Sequence, residues 1–261
     1  MKRVAVLIPI YRPGLDPLEK FSLDTSLACL RGRDIAFIGP ADLDRSYYLE
    51  HYPGIPMIEF EAHYFESIAG YNRLLVSQGF YVRFLRYEFI LILQTDAILL
   101  RDELDHWCWQ PFDYVGAPWP DGHELFINVG RFEGAFGKRL KVHVGNGGLS
   151  LRRTRACLAL LEEFTVAISV FDKTGSSEDL FFSFMGALSG DFVIPNQITA
   201  SLFSLELRPA YYFEVNGGRL PMGGHAWWKH DPEFWRPLLP SLTADTLSEL
   251  PPKFRLPRDG V

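Results

Sequence analysis

Several short stretches combine residue types that do chemistry with positions that can bring them together. Gln94-Thr95-Asp96 follows at once on the apolar run Phe89–Leu93. A carboxylate at the end of a dry strand is costly unless something pairs with it. Asp96, flanked by Gln94 and Thr95, offers the oxygen ligands a hard divalent cation prefers, or it simply caps the following turn. His225, in GGHAWWK, is a metal or phosphate contact or a plain loop histidine. Lys229, four residues on, is a point charge for a phosphate or ordinary solvated surface. Gly145-Asn146-Gly147-Gly148 lets a ligand approach the backbone closely, but it lacks the GxxxxGK[ST] spacing of a phosphate loop and also suits a simple strand-entry turn. Ser177-Glu178-Asp179 reads as a Ser N-cap with acidic residues in the first helical turn. Equally, its carboxylates can serve as a base in a partly dry cleft.

The elements that must position these groups follow from pattern. Val4–Ile10 is a continuous apolar run, as expected of a parallel strand covered on both faces. Asp16-Pro17-Leu18-Glu19 then supplies an N-cap, a proline at the first helical position and an acidic third residue, opening a helix to about Leu30. Asp34–Ile38 is a second strand, Ala41–Glu50 a short helix and Met57–Glu61 a third strand. Helical segments run from Ile68 to about Arg86, and Phe89–Leu93 is the fourth strand. This alternation predicts an α/β fold with a mostly parallel sheet and right-handed crossovers. Asp113–Ala117 reads as a short strand, and Pro118–Lys141, rich in glycine and charge, as a long loop or small insertion. Val144–Arg153 is a glycine-rich turn leading into a strand. Cys157, Leu160, Leu161, Phe164 and Ile168 mark the buried face of one helix, and Phe181, Phe182, Met185 and Leu188 that of the next. In an open sheet of this kind ligands sit at the carboxyl ends of the strands, so Asp96 and the Pro9-to-Arg12 segment share a rim.

Composition narrows the classes. The chain has 261 residues, 48% hydrophobic and 22% charged, enough to bury a large core. Its net charge of −6 leaves no footprint for general nucleic-acid binding. Cys29, Cys108 and Cys157 are odd in number and form no CxxC pair, which argues against a disulfide framework or a zinc cluster. The run after MKR reads as a first strand and not as a signal peptide. No segment reaches the roughly 18 apolar residues of a membrane span, so a cytoplasmic protein is expected.

The ordered set FILILQTDA, GAPW, VGNGGLSLR, SEDLFFS and GGHAWWK resembles the GT-A class of nucleotide-sugar glycosyltransferases. More closely, it is similar to an uncharacterised bacterial and fungal glycosyltransferase-like family, DUF5672, with a QxDA version of the DxD motif. The likeness runs from Val4 to about Lys229. It implies a GT-A (Rossmann-like) domain over 1–240, a donor half over about 1–100, an acceptor half over about 101–240, and a tail over 241–261.

The resemblance also implies roles. Gln94-Thr95-Asp96 stands where DxD would, with an amide in place of the first carboxylate. Asp96 and His225 would hold a Mn²⁺ or Mg²⁺ ion on the diphosphate of a donor, a UDP-sugar being the first guess. Asn72 and Arg73 lie where base or diphosphate is contacted, and a guanidinium suits phosphate. Pro9, Tyr11 and Arg12 would border the nucleotide, with Tyr11 stacking on the base. Asn146, Gly147 and Gly148 would floor the donor-sugar site, with Asn146 bonding a sugar hydroxyl. Asp179, beside Glu178, would be the base of an inverting transfer to a hydroxyl acceptor, a glycan or glycoconjugate. Trp119, Trp227 and Trp228 are candidate stacking platforms for sugar rings or, equally, buried rim aromatics. Two rival readings remain open: a metal-dependent nucleotidyltransferase, and a catalytically silent nucleotide-binding or scaffold protein.

Overall fold

The computed structural model describes residues 2–128 and 133–239; the tail expected over 241–261 lies outside them. The first half alternates strand and helix as its pattern demands: β1 (Lys2–Pro9), α1 (Pro17–Cys29), β2 (Asp34–Pro40), α2 (Ser46–His51), β3 (Met57–Phe60), α3 (Ile68–Leu75), α4 (Gln78–Val82) and β4 (Tyr87–Leu93). After β5 (Ala97–Leu99) come α5 (Leu104–Trp109), β6 (Tyr114–Val115), β7 (Pro118–Ile127), β8 (Lys138–Val144) and β9 (Leu149–Arg153). Helices α6 (Thr154–Glu163), α7 (Thr165–Thr174) and α8 (Glu178–Leu188) follow, then the short strands β10 (Ser204–Leu205) and β11 (Gly223–His225).

The main sheet has the order β3-β2-β1-β4-β9-β6. Pairing is parallel from β3 through β4, and β9 runs antiparallel to both β4 and β6. Alternate residues of β1 feed separate cores: Ala5 and Leu7 pack with α3, α4, α6 and α8 residues, while Val4, Val6 and Ile8 pack on the opposite face. Burial on both faces is why these strands read as unbroken apolar runs. Each such side chain contributes about 1.5–3 kcal/mol on burial. A smaller sheet, β10-β11-β5, gathers Ile98, Leu205, Trp227 and Trp235 into a third cluster and ties the later chain to the end of β4.

The capping box predicted for α1 is present: the Glu19 amide donates to the Asp16 carboxylate (2.8 Å) and the Asp16 amide to Glu19 (3.1 Å). Four boundaries differ from the sequence reading. The helix expected over Ala41–Glu50 starts only at Ser46, because Ala41 still bonds the β3 end through Phe60 (3.1 Å) and Asp44 accepts the Ser46 amide (3.0 Å). The helical segments after Ile68, α3 and α4, end at Val82 and not at about Arg86, and the Ser77 hydroxyl between them caps α4 by accepting from the Phe80 amide (3.2 Å). Cys157 to Ile168 is not one helix but two, α6 and α7, breaking at Phe164. Pro118–Lys141 is not a loop: within the described residues, β7 and β8 pair as an antiparallel ribbon with Leu125 opposite Leu140. Most ribbon residues face solvent on both sides, so no apolar alternation marks them.

Candidate functional site

The carboxyl ends of β1 and β4 meet the glycine-rich turn before β9 on one rim of the sheet. Backbone bonds join the parts: the Gln94 amide donates to the Gly148 carbonyl and the Ala226 amide to the Asp96 carbonyl, both at 2.9 Å. Antiparallel pairing of β11 with β5 sets His225 opposite Ala97. The sheet therefore brings Gln94, Asp96, Gly148 and His225 together from three distant segments.

Asp96 is engaged at both oxygens. His225 Nε2 lies 3.1 Å from Oδ1, and Lys229 Nζ donates to Oδ2 at 2.7 Å. The other imidazole nitrogen, Nδ1, sits 3.2 Å from Glu206 Oε2, and Nε2 is also 3.2 Å from Gln94 Oε1. His230 approaches the second oxygen of Glu206 at 3.5 Å. The result is an alternating chain: Glu206, His225, Asp96, Lys229. Burial by itself would raise Asp96 and Glu206, but His225 with Lys229 and His225 with His230 hold both carboxyls well below their usual range. Burial also disfavours the His225 cation, yet Asp96 and Glu206 outweigh it and lift this histidine to about 10.

A titration can check that balance. In chelator-treated protein the His225 ring resonances should titrate near 10, far above the ordinary value of about 6.5. Because the folded value is the higher one, the stabilisation is complete below about 6.5 and is lost as pH rises through the folded midpoint. A midpoint near 6.5 by NMR would mean that the two carboxylates do not grip the imidazolium.

The turn before β9 is shaped by side chains pressing on its glycines. A Cβ on Gly148 would stand 2.2 Å from His225 Nε2, and one on Gly147 1.9 Å from Glu178 Oε1, so only glycine fits at either position. Asn146 is buried in the left-handed region at φ 56°, where asparagine is the best tolerated residue after glycine. Beneath the turn, Ser150 Oγ donates to the Gly147 carbonyl (3.0 Å) and the fully buried Arg152 donates to Ser150 (3.0 Å), Tyr81 (3.2 Å) and Glu178 Oε1 (2.9 Å).

Glu178 and Asp179 are adjacent but do different things. Glu178 points inward; burial, offset only in part by Arg152 and reinforced by Asp179, raises it to about 7. Asp179 Oδ2 accepts from the Gly147 amide (3.3 Å), and Oδ1 accepts from the Leu180 amide (2.7 Å) and from the Ser177 hydroxyl. Ser177 does occupy the N-cap of α8, but its side chain donates to Asp179 and accepts no backbone amide. Asp179 thereby sits against the same glycine turn whose next residue faces His225.

The other predicted residues lie around this centre. Thr95 donates to Glu19 (2.9 Å), which also takes Arg12 in a 2.5 Å ion pair, so the α1 cap residue binds the ends of β1 and β4 together. Pro9 closes β1 in register with Ile38, and Tyr11 beyond it is 53% exposed. Asn72 and Arg73 line a hollow with Asp172, Ser177 and Glu178, where Arg73 is turned to Asp172 at 3.4 Å and not to Asp96. The three tryptophans proposed for sugar stacking are instead buried: Trp119 at 8%, Trp227 at 1% and Trp228 at 6% exposure. Trp227 donates to Ser22 (2.8 Å), pinning the turn that carries Lys229 onto α1. Three partners were not anticipated from sequence: Glu206, Arg152 and Tyr81. Glu206 closes the apolar stretch at β10 much as Asp96 follows β4, and that repeated pattern was the available signal.

A preformed divalent-cation centre does not fit this arrangement. Both Asp96 oxygens are already bonded to cationic side chains, Gln94 brings no charge, and among the described residues no group of three or more His, Cys, Asp or Glu side chains is placed to hold a metal.

A parallel sheet carrying an antiparallel β9, with its site at the strand ends, defines the fold of the GT-A glycosyltransferases. Residues 54–225 match DUF5672, described as a protein of unknown function, and the chain belongs to that family. No curated protein matches the sequence. Among solved structures, an active-site mutant of LgtC is 16% identical over 96% of this chain and 99% of that one, with a TM-score of 0.52. The galactosyltransferase LgtC with donor and acceptor sugar analogs has the same identity and coverage at a TM-score of 0.49. A glycosyltransferase involved in glycosylation of the major capsid of PBCV-1 is 11% identical over 85% of this chain and 93% of that one, at 0.46. At 16% identity the likeness to the LgtC mutant speaks for the fold alone, since one fold hosts many activities.

Proposed function

We propose that the protein transfers a sugar from a nucleotide-diphosphate donor to a hydroxyl acceptor with inversion. One observation carries this reading: the fold joins a carboxylate at the glycine turn, Asp179, to the ion-paired cluster of His225, Asp96 and Lys229 at the β4 end through two consecutive residues, Gly147 and Gly148. A donor lying across that turn has its diphosphate near Lys229 and Tyr11 and its anomeric carbon toward Asp179. Asp179 takes the proton of the acceptor hydroxyl as that oxygen bonds to the anomeric carbon. The bond from that carbon to the phosphate oxygen breaks on the opposite face, and the nucleoside diphosphate leaves with the electron pair. Oriented by the Gly147 and Leu180 amides, the carboxylate needs no reorganisation to act, which is where a positioned base gains its advantage. Arg12, held on Glu19, and Tyr11 border the nucleotide end of this path.

The test is a screen by mass of common nucleotide sugars, UDP-sugars first, with glycan and glycoconjugate acceptors and with Mn²⁺, Mg²⁺ or chelator. Transfer or slow hydrolysis of one donor is the expected result. If every donor stays intact and no nucleoside diphosphate binds, the scaffold reading replaces this one.

A further inference from the structure

We infer that Lys229, anchored on Asp96, supplies the positive charge that meets the donor diphosphate, in the place where a divalent cation would otherwise stand. The inference rests on the glycosyl-transfer reading above and specifies how that site handles its anionic ligand.

Four observations lead to it. Gln94 occupies the first position of the acidic motif and can donate or accept a hydrogen bond but cannot balance a cation. Asp96, the carboxylate that does remain, already holds Lys229 Nζ at 2.7 Å and His225 Nε2 at 3.1 Å. A hard cation at this position would need those same oxygens, so it competes with an ammonium covalently attached to the fold. His225 is in turn held from behind by Glu206 at 3.2 Å, so both of its ring nitrogens are already paired with carboxylates.

The fourth observation is the way Lys229 is presented. Its turn begins at Ala226, which adopts φ 49°, and closes with the Lys229 amide donating to the Ala226 carbonyl at 2.8 Å. Trp227 and Trp228, within that turn, are buried and pack edge to face with ring centroids 5.3 Å apart, which accounts for the paired tryptophans of the motif. Lys229 emerges from them half-exposed, with Asp96 on its inner side and solvent on its outer side. An ammonium has three donors, and Asp96 takes one. Two remain for phosphate oxygens on the open side, held in place by a carboxylate that is itself nearly buried. Asp96 is then a positioning residue: it fixes a flexible four-carbon stem where the charge is needed.

Titration calorimetry with UDP, GDP, CDP and ADP on the full chain tests this, each run in chelator and in Mn²⁺. The expected result is that one nucleotide binds with closely similar affinity in both conditions. Lys229→Met should weaken that binding about 10- to 100-fold, as expected for a lost bond to a charged group, with Mn²⁺ giving no rescue. Lys229→Arg should retain most of the affinity, and both variants should melt as the parent does, because this side chain is half-exposed. Binding that appears only with Mn²⁺, or a Lys229→Met protein that binds like the parent, overturns the inference and leaves glycosyl transfer standing. No binding of any of the four nucleotides under either condition overturns both.

Discussion

Glu178→Gln should destabilise the fold by about 3–5 kcal/mol, the range for removing one partner of a buried ion pair. Arg152→Met should cost less at acid pH than at neutral pH. The asymmetry follows from what each survivor can do. Arg152 is fully buried, and the Glu178 carboxylate more than offsets the cost of burying its charge. Without Glu178 it keeps a charge it cannot shed, since a guanidinium does not deprotonate in proteins. Glu178, left alone, can take up a proton, and burial has already pushed it to about 7 with Arg152 in place. In Arg152→Met that value rises further above the unfolded value of about 4.3. A raised folded value means that stability is greatest below the unfolded pKa and declines as pH rises through the folded one. Chemical denaturation of both variants at pH 6 and pH 8 reads this out. Equal losses at the two pH values in Arg152→Met would show that Glu178 stays ionised in the core.

The same pair has a consequence for the site. Glu178 Oε1 presses on Gly147 while it holds Arg152, and Asp179 takes the Gly147 amide from the outer side. The glycine turn is thus gripped between the buried Glu178 carboxylate and the proposed base, Asp179. Variants of Glu178 should lower activity through loss of fold, in proportion to the unfolded fraction.

Asp179→Asn should behave otherwise. An amide of the same shape cannot accept a proton from an acceptor hydroxyl, and a positioned general base is worth about 10²–10⁴ in rate. Turnover should fall by that factor while nucleotide affinity stays near that of the parent. The Ser177 hydroxyl and the Leu180 and Gly147 amides all remain bonded to an Asn oxygen only in part, because one end of the amide is now a donor. A small loss of stability is therefore expected alongside the large loss of rate. Full transfer activity in Asp179→Asn would remove this residue from the mechanism. A drop in nucleotide affinity without a change in turnover would place it in donor binding instead.

Local rules made some of this legible in advance. The Asp16 to Glu19 capping box, the apolar runs of β1 and β4 and the rim shared by Asp96 and Tyr11-Arg12 depend on short-range geometry and on burial of both sheet faces. The β7–β8 ribbon was hidden because its pairing is non-local and its residues are mostly exposed. The break at Phe164 was hidden because the apolar periodicity runs on across it. Neighbouring helical residues point about 100° apart, yet only packing against Arg152 decides that Glu178 faces the core.

The sequence alone determined an α/β chain with its reactive groups at strand ends, because apolar periodicity and capping residues act over a few positions. It also placed an amide, Gln94, two positions before the strand-end carboxylate Asp96. Tertiary structure decided what that carboxylate is paired with. His225 and Lys229 reach Asp96, and Glu206 reaches His225, only through the pairing of β11 with β5 and β10, contacts between distant segments that no local pattern encodes. It likewise turned the tryptophans of the last motif from ligand platforms into anchors, since burial is a property of the folded neighbourhood and not of the residue.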